Sequence, residues 1–213
     1  MEERGVRWSR IAIRLVAVTM AWNCVEAVIA VWSGIAAGSI ALVGFGLDSV
    51  IEVAAAAVVL WRLAVEARGR STREEIERTE RRVHRFVGGT FLALAVYVLV
   101  QAGFTLFAGD APEESLVGIL LAVASLVVMP IVALGKFRAA RELGSGALRA
   151  EAKETLACAW LSLALLIGLL GNALLGWWQA DPVAALAMVP WLVKEGLEAL
   201  RGEGCCAGGV CRG

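Results

Sequence analysis

Residues 39–60 read SIALVGFGLDSVIEVAAAAVVL, a run in which only Ser39, Asp48, Ser49 and Glu52 are polar. A bilayer core takes about 20 consecutive apolar residues in helical form to cross, so this stretch is long enough to span a membrane. Its two carboxylates then lie deep inside the span. Reading outward with a window of about 20 residues, five more apolar stretches appear, at 11–32, 86–107, 115–134, 155–175 and 183–200. The whole chain agrees with that reading: 213 residues, 59% hydrophobic, with a mean hydropathy of +0.74, against roughly half apolar in a soluble domain. Six spans consume about 120 positions and leave only short connections. The expected fold is an all-α membrane protein, one six-helix domain over residues 1–202 followed by a Cys/Gly-rich tail at 203–213.

Charge placement predicts the topology. The formal net charge is zero and the pI near 6.6, which excludes a strongly basic nucleic-acid binder. The connections around Ser33, at 108–114 and at 176–181 hold no Lys or Arg, whereas all 20 Lys and Arg fall in the N- and C-terminal segments, in the second and fourth connections or at the span ends nearest them. By the positive-inside rule that side is cytoplasmic, with both termini. The basic residues Arg4 to Arg14 resemble the start of a signal peptide, but the apolar run behind them is too long and leads into a bundle, so the first span is expected to be retained. The five cysteines are odd in number, and the topology puts Cys205, Cys206 and Cys211 in a reducing compartment, so disulfides are not expected. Residues 66–85 read as a solvated connector that extends helically, with Glu74–Arg78 and Glu77–Arg81 at i,i+4 spacing.

Candidate chemistry lies in ionisable groups within the spans, because each costs about 2.5–3.5 kcal/mol at a helix centre on insertion scales and therefore faces a partner or a wet cavity. Asp48 and Glu52 are four residues apart and share a helix face, about 6 Å apart along the axis. Nothing basic lies in that span. Ionised together they would repel, so either one is protonated or a positive charge sits between them; interhelical hydrogen bonding is the plainer alternative. In ALRAEAKETLACAWLS (147–162), Glu154 and Cys158 repeat the i,i+4 spacing, with Glu151 one turn earlier. Three carboxylates and a thiolate make a ligand set for a zinc-like cation, although Cys is also a common small buried hydrophobe and the glutamates also suit the charged mouth of a span. The two pairs lie at one depth only if the fifth helix begins near Gly146, with Arg149 and Lys153 lining a vestibule or snorkelling.

Other polar residues have simpler readings. Asn23, Cys24 and Glu26 on the first span are supporting hydrogen-bond donors, proton-handling groups or interhelical bonds. Gln101 and Asn172 read as helix–helix contacts, and Asp181 before Pro182 as the N-cap of the last helix. Trp177 and Trp178 read as part of an interfacial aromatic belt. Cys205, Cys206 and Cys211 are either soft-metal ligands or an inert terminus.

The runs GSIALVGFGLDSVIE (38–52), ALRAEAKETLACA (147–159) and GWWQADPVAALAM (176–188) resemble, in order and spacing, the second helix, fifth helix and fifth-to-sixth junction of the cation diffusion facilitator (cation efflux) family. The likeness extends nearly through Leu200. It implies a metal site formed by Asp48, Glu52, Glu154 and Cys158; Asn23, Glu26 and Glu151 are the candidates beside it for supporting or proton-handling roles. The ligand types depart from the family's common ones: Glu52 for Asp, Glu154 for His and Cys158 for Asp, while the single histidine, His84, lies in the connector. With 13 residues after Leu200, the family's cytoplasmic C-terminal domain is not expected. The resemblance implies a homodimeric, non-enzymatic exporter of divalent metal, zinc-like, exchanging it for protons in a cell membrane of the bacterial inner-membrane type; no resident cofactor is implied. Two rivals are a proton-coupled organic-cation carrier, which would use the same acids, and a membrane-anchored metal sensor or redox protein acting through the cysteine tail.

Overall fold

The computed structural model describes residues 2–68, 73–109, 112–144 and 146–201. These form six helices, α1 (Glu2–Ala37), α2 (Ile40–Arg68), α3 (Arg73–Ala108), α4 (Leu116–Leu143), α5 (Gly146–Leu175) and α6 (Ala180–Arg201). The helices outrun the apolar spans at their charged ends, where Arg, Glu, Ala and Leu favour helix as strongly as any residues do. That is why α5 starts at Gly146 and not at Thr155, the condition under which its acids reach those of α2. The charged segment between α2 and α3 is helical to Arg68 and again from Arg73. The side chains of its expected ion pairs, and that of His84, lie outside the described residues, as does the cysteine tail.

Among the described residues, five helices are long and apolar enough to cross a membrane. The sixth, α6, has 22 residues with Lys194, Glu195 and Glu198 in its last third, which lowers its hydropathy while leaving a length of about 33 Å. Glycines stop the chain where it must reverse. Gly144 follows α4 with φ 62°, and its N–H reaches the carbonyls of Ala140 and Arg141; Gly38 plays the same part after α1 at φ 66°. Such left-handed residues close a helix C-terminus at no Cβ cost.

Packing is organised around α2, which touches α1, α3, α5 and α6. The pairs α1–α2, α2–α5, α5–α4 and α4–α1 close a ring of four helices, and α3 and α6 pack together on its α2–α5 side. A Cβ on Gly88 would meet the carbonyl oxygen of Gly196 at 2.8 Å, so the middle of α3 and the late turns of α6 lie backbone to backbone. Small residues drive such contacts in lipid, where burying one apolar side chain against another gains little over lipid tails. The main core gathers Leu42, Phe45, Val98, Met129, Leu161, Leu165 and Met188. A smaller cluster of Ala12, Val16, Ala56, Ala139, Ala140 and Leu148 fills the end of the ring where the basic residues gather. Val28, Trp32, Phe104, Phe107, Leu134 and Leu174 point outward, as side chains solvated by lipid do.

Three polar residues differ from their expected roles. Asp181 lies within the first turn of α6 and caps another helix: its carboxylate accepts from the Ser39 hydroxyl and from the amides of Ile40 at 3.0 Å and Ala41 at 3.4 Å. Ser39 Oγ in turn accepts from the Leu42 amide at 3.1 Å. The open N–H groups and positive dipole end of α2 attract the nearest carboxylate, whatever its place in sequence. Asn172 donates to the Pro112 carbonyl at 2.9 Å, tying down the connection before α4, and Gln101 faces outward from α3. Asp181→Ala is expected to lower stability by about 2–4 kcal/mol, since it strands two buried amides and a hydroxyl. Thermal unfolding in detergent checks this; an unchanged midpoint would contradict the cap.

Candidate metal-transport site

Three helices of the ring, α1, α2 and α5, and α6 bring acids to one region, and α4 adds Ser125 and Lys136. On α2, Asp48 and Glu52 both point inward, 3% and 9% exposed. On α1, Asn23 and Glu26 are three residues apart on one face, and both are buried. The Asn23 amide Nδ2 donates to Glu52 Oε2 at 2.6 Å. Glu26 accepts from the hydroxyls of Ser49 on α2, at 3.0 Å, and Ser125 on α4, while the Cys158 thiol of α5 lies 3.8 Å from its Oε2. Trp22 Nε1 holds the Ser125 hydroxyl from behind at 3.4 Å. The residue expected among supporting groups is thus at the junction of all four ring helices.

The expected ligands are neighbours. Cys158 lies within electrostatic range of Glu52, Glu26 and Asp48, and Glu154 within range of Asp48 and Glu195. Cys158 is fully buried; Glu154 is half-buried, while Arg149 and Lys153 lie exposed beside it. Among the described residues no three Asp, Glu, Cys or His side chains stand close enough to hold a metal ion together. The region is open to such a guest: Asp48 Oδ1 and Asn23 Oδ1 are buried without a hydrogen-bond partner, which costs free energy until a cation, proton or water meets them. Cys24, next to Asn23 in sequence, is exposed because it projects from the opposite side of α1.

Glu151 has a partner that sequence reasoning missed. Lys136 of α4, 0% exposed, lies 2.6 Å from Glu151 Oε1 and 2.8 Å from Thr155 Oγ1. The apolar stretch ends before Lys136, which placed it in the charged connection, yet α4 runs on to Leu143. The signal was spacing: Ala122, Ser125, Met129, Ala133, Lys136 and Ala140 recur every three or four residues and form the buried stripe of α4. Glu195 of α6 is the second residue missed. It is half-buried and faces Asp48 and Glu154 electrostatically, a relation that no local pattern in α6 announces. Glu26, Asp48, Glu52, Glu154 and Glu195 therefore surround a region whose one buried basic side chain, among the described residues, is Lys136.

Comparison with known proteins identifies the family. An uncharacterized transporter of Synechocystis sp., sll1263, is 25% identical over 153 residues, covering 71% of this chain and 49% of the relative. The chain spans about half the length of that relative. The family described as the cation efflux transmembrane domain matches residues 16–203, which takes in α1 from Val16 onward, the other five helices and every acid of the site, and the chain belongs to that family.

Proposed function

We propose that the protein exports a divalent, zinc-like cation from the cytoplasm in exchange for protons, by alternating access around Asp48, Glu52, Glu154 and Cys158. The observation that carries this reading is the pair of buried α2 carboxylates, one with an unpartnered oxygen, at the centre of a chain in the cation efflux family. Carboxylates and thiolate bind metal only when deprotonated, so loading releases protons and reprotonation from the far side expels the metal. One divalent ion out against one proton in moves a net positive charge outward, which costs about 2.3 kcal/mol per 100 mV of inside-negative potential. A second proton makes the exchange electroneutral. In this reading α6 is the sixth span, the basic end of the bundle with both termini is cytoplasmic, the membrane is of the bacterial inner-membrane type, and two copies assemble as a homodimer. Glu26, held at the four-helix junction beside Cys158, and Asn23, bonded to Glu52, support the ligands.

Uptake of Zn²⁺, Cd²⁺ and Mn²⁺ into inverted vesicles tests the reading. Accumulation should follow an inside-acid pH gradient and cease when an ionophore dissipates both pH gradient and potential with no metal gradient present. Accumulation that continues under those conditions rules out exchange with protons. Uptake of an organic cation in place of every metal would favour the rival carrier.

A further inference from the structure

The proton-exchange reading makes no use of Lys136, although it is the largest investment of buried charge at the ring's basic end. Its ammonium is fully buried between α4 and α5, held by one carboxylate oxygen of Glu151 and by the Thr155 hydroxyl. Glu151 Oε2 has no partner, so the pair is only partly satisfied. Buried ion pairs of this kind add little stability over an apolar pair of the same volume, so the fold itself does not call for one here. Position distinguishes it. Thr155 and Cys158 lie three residues apart on one face of α5, about 4.5 Å along the axis, and Glu52 and Glu154 both feel the Lys136 charge. A lysine stem is flexible and carries its ammonium as a compact point charge with three donors. Rotation about that stem would carry the charge off its seat, and the residue before Thr155 in α5 is Glu154, one of the acids proposed to take the metal.

We propose that Lys136 is a tethered competitor for the metal site, and that Glu151 and Thr155 are positioning residues that park its ammonium and so set how tightly the site takes a divalent cation. Metal and ammonium seek the same carboxylates. With the seat intact, Lys136 rests mostly on Glu151 and contests the ligands only part of the time; with the seat damaged, the ammonium occupies them and metal must displace it. The inference rests on the transport reading above, since it concerns the affinity of that same site.

The test is Cd²⁺ binding to the purified full chain in lipid nanodiscs by titration calorimetry, for wild type, Glu151→Gln, Thr155→Val, Lys136→Met and the double variant Lys136→Met with Glu151→Gln. Glu151→Gln is expected to weaken binding by about tenfold or more, a differential of about 1.4 kcal/mol. Lys136→Met should tighten it, and the double variant should recover wild-type affinity or better. Thr155→Val changes no charge, so weakening there separates an unseated ammonium from a mere change in the local field. Unchanged affinity in Thr155→Val overturns the proposal, as does a double variant no better than Glu151→Gln, which would make Glu151 itself a ligand. Should Glu151→Gln fail to fold, Thr155→Val and Lys136→Met decide the matter by the same signs. Wild-type protein that binds none of Cd²⁺, Zn²⁺ and Mn²⁺ would defeat the transport reading instead.

Discussion

Asp48→Ala is expected to lower the rate of metal transport by about 100-fold or more, because loss of even an outer-shell partner of a metal ligand typically costs about 10–100-fold in affinity. The substitution removes a carboxylate whose Oδ1 has no hydrogen-bond partner and leaves no new charge in the bundle. It should therefore leave the fold intact, with an unfolding midpoint equal to or above that of wild type. Initial rates of Zn²⁺ uptake into vesicles of matched protein content, together with thermal unfolding of the purified variant, check both halves. Wild-type rates would remove Asp48 from the site. Lost transport together with a collapsed unfolding midpoint would make it a structural residue.

The second large effect concerns which metal is taken. Cys158 supplies a sulfur where the other candidates supply oxygen, and soft thiolate favours Zn²⁺ and Cd²⁺ while carboxylate oxygen suits Mn²⁺, Mg²⁺ and Ca²⁺. Cys158→Asp should keep transport and shift the Zn²⁺ to Mn²⁺ preference toward Mn²⁺ by about tenfold, or about 1.4 kcal/mol of differential binding. Cys158→Ser, which offers only a weak neutral oxygen, should depress the soft metals without a matching gain for Mn²⁺. Competition between Zn²⁺ and Mn²⁺ in vesicles, read as normalised initial rates, measures both variants. An unchanged ratio in both would mark Cys158 as packing against Glu26, and the remaining ligand would then be sought at Glu26, which is already 3.8 Å from the sulfur.

Much of this architecture is legible residue by residue. Hydropathy locates the spans because lipid demands unbroken apolar helix, a one-dimensional requirement that a linear sequence expresses directly. Helical periodicity likewise puts Asp48 with Glu52, and Glu154 with Cys158, on shared faces, since 3.6 residues per turn is a local property. The start of α5 was legible only conditionally: its first turns are charged, and hydropathy reads charge as the end of a span, whereas the backbone reads Glu, Lys and Arg as helix formers. The same bias hid Lys136, two residues beyond the apparent end of its apolar stretch but on the buried stripe of a helix that continues to Leu143.

What the sequence by itself determined is therefore the membrane character of the chain, the helices and the faces on which its acids stand. Which faces meet was decided by the tertiary structure alone. Asp181 follows the signature of a cap for its own helix, yet it binds Ser39 and the first amides of α2, because an open helix terminus draws whichever carboxylate packing brings nearest. Glu26 reads as one polar residue in an apolar span, and becomes the junction of Ser49, Ser125 and Cys158 only when α1, α2, α4 and α5 close into a ring. The partner of Glu151 is Lys136 on a different helix, and Glu195 reaches the site from α6. The physical reason is common to all four: local spacing fixes the direction in which a side chain points along its own helix, while the identity of what it meets depends on helix crossings set by small residues and by the summed packing of the bundle.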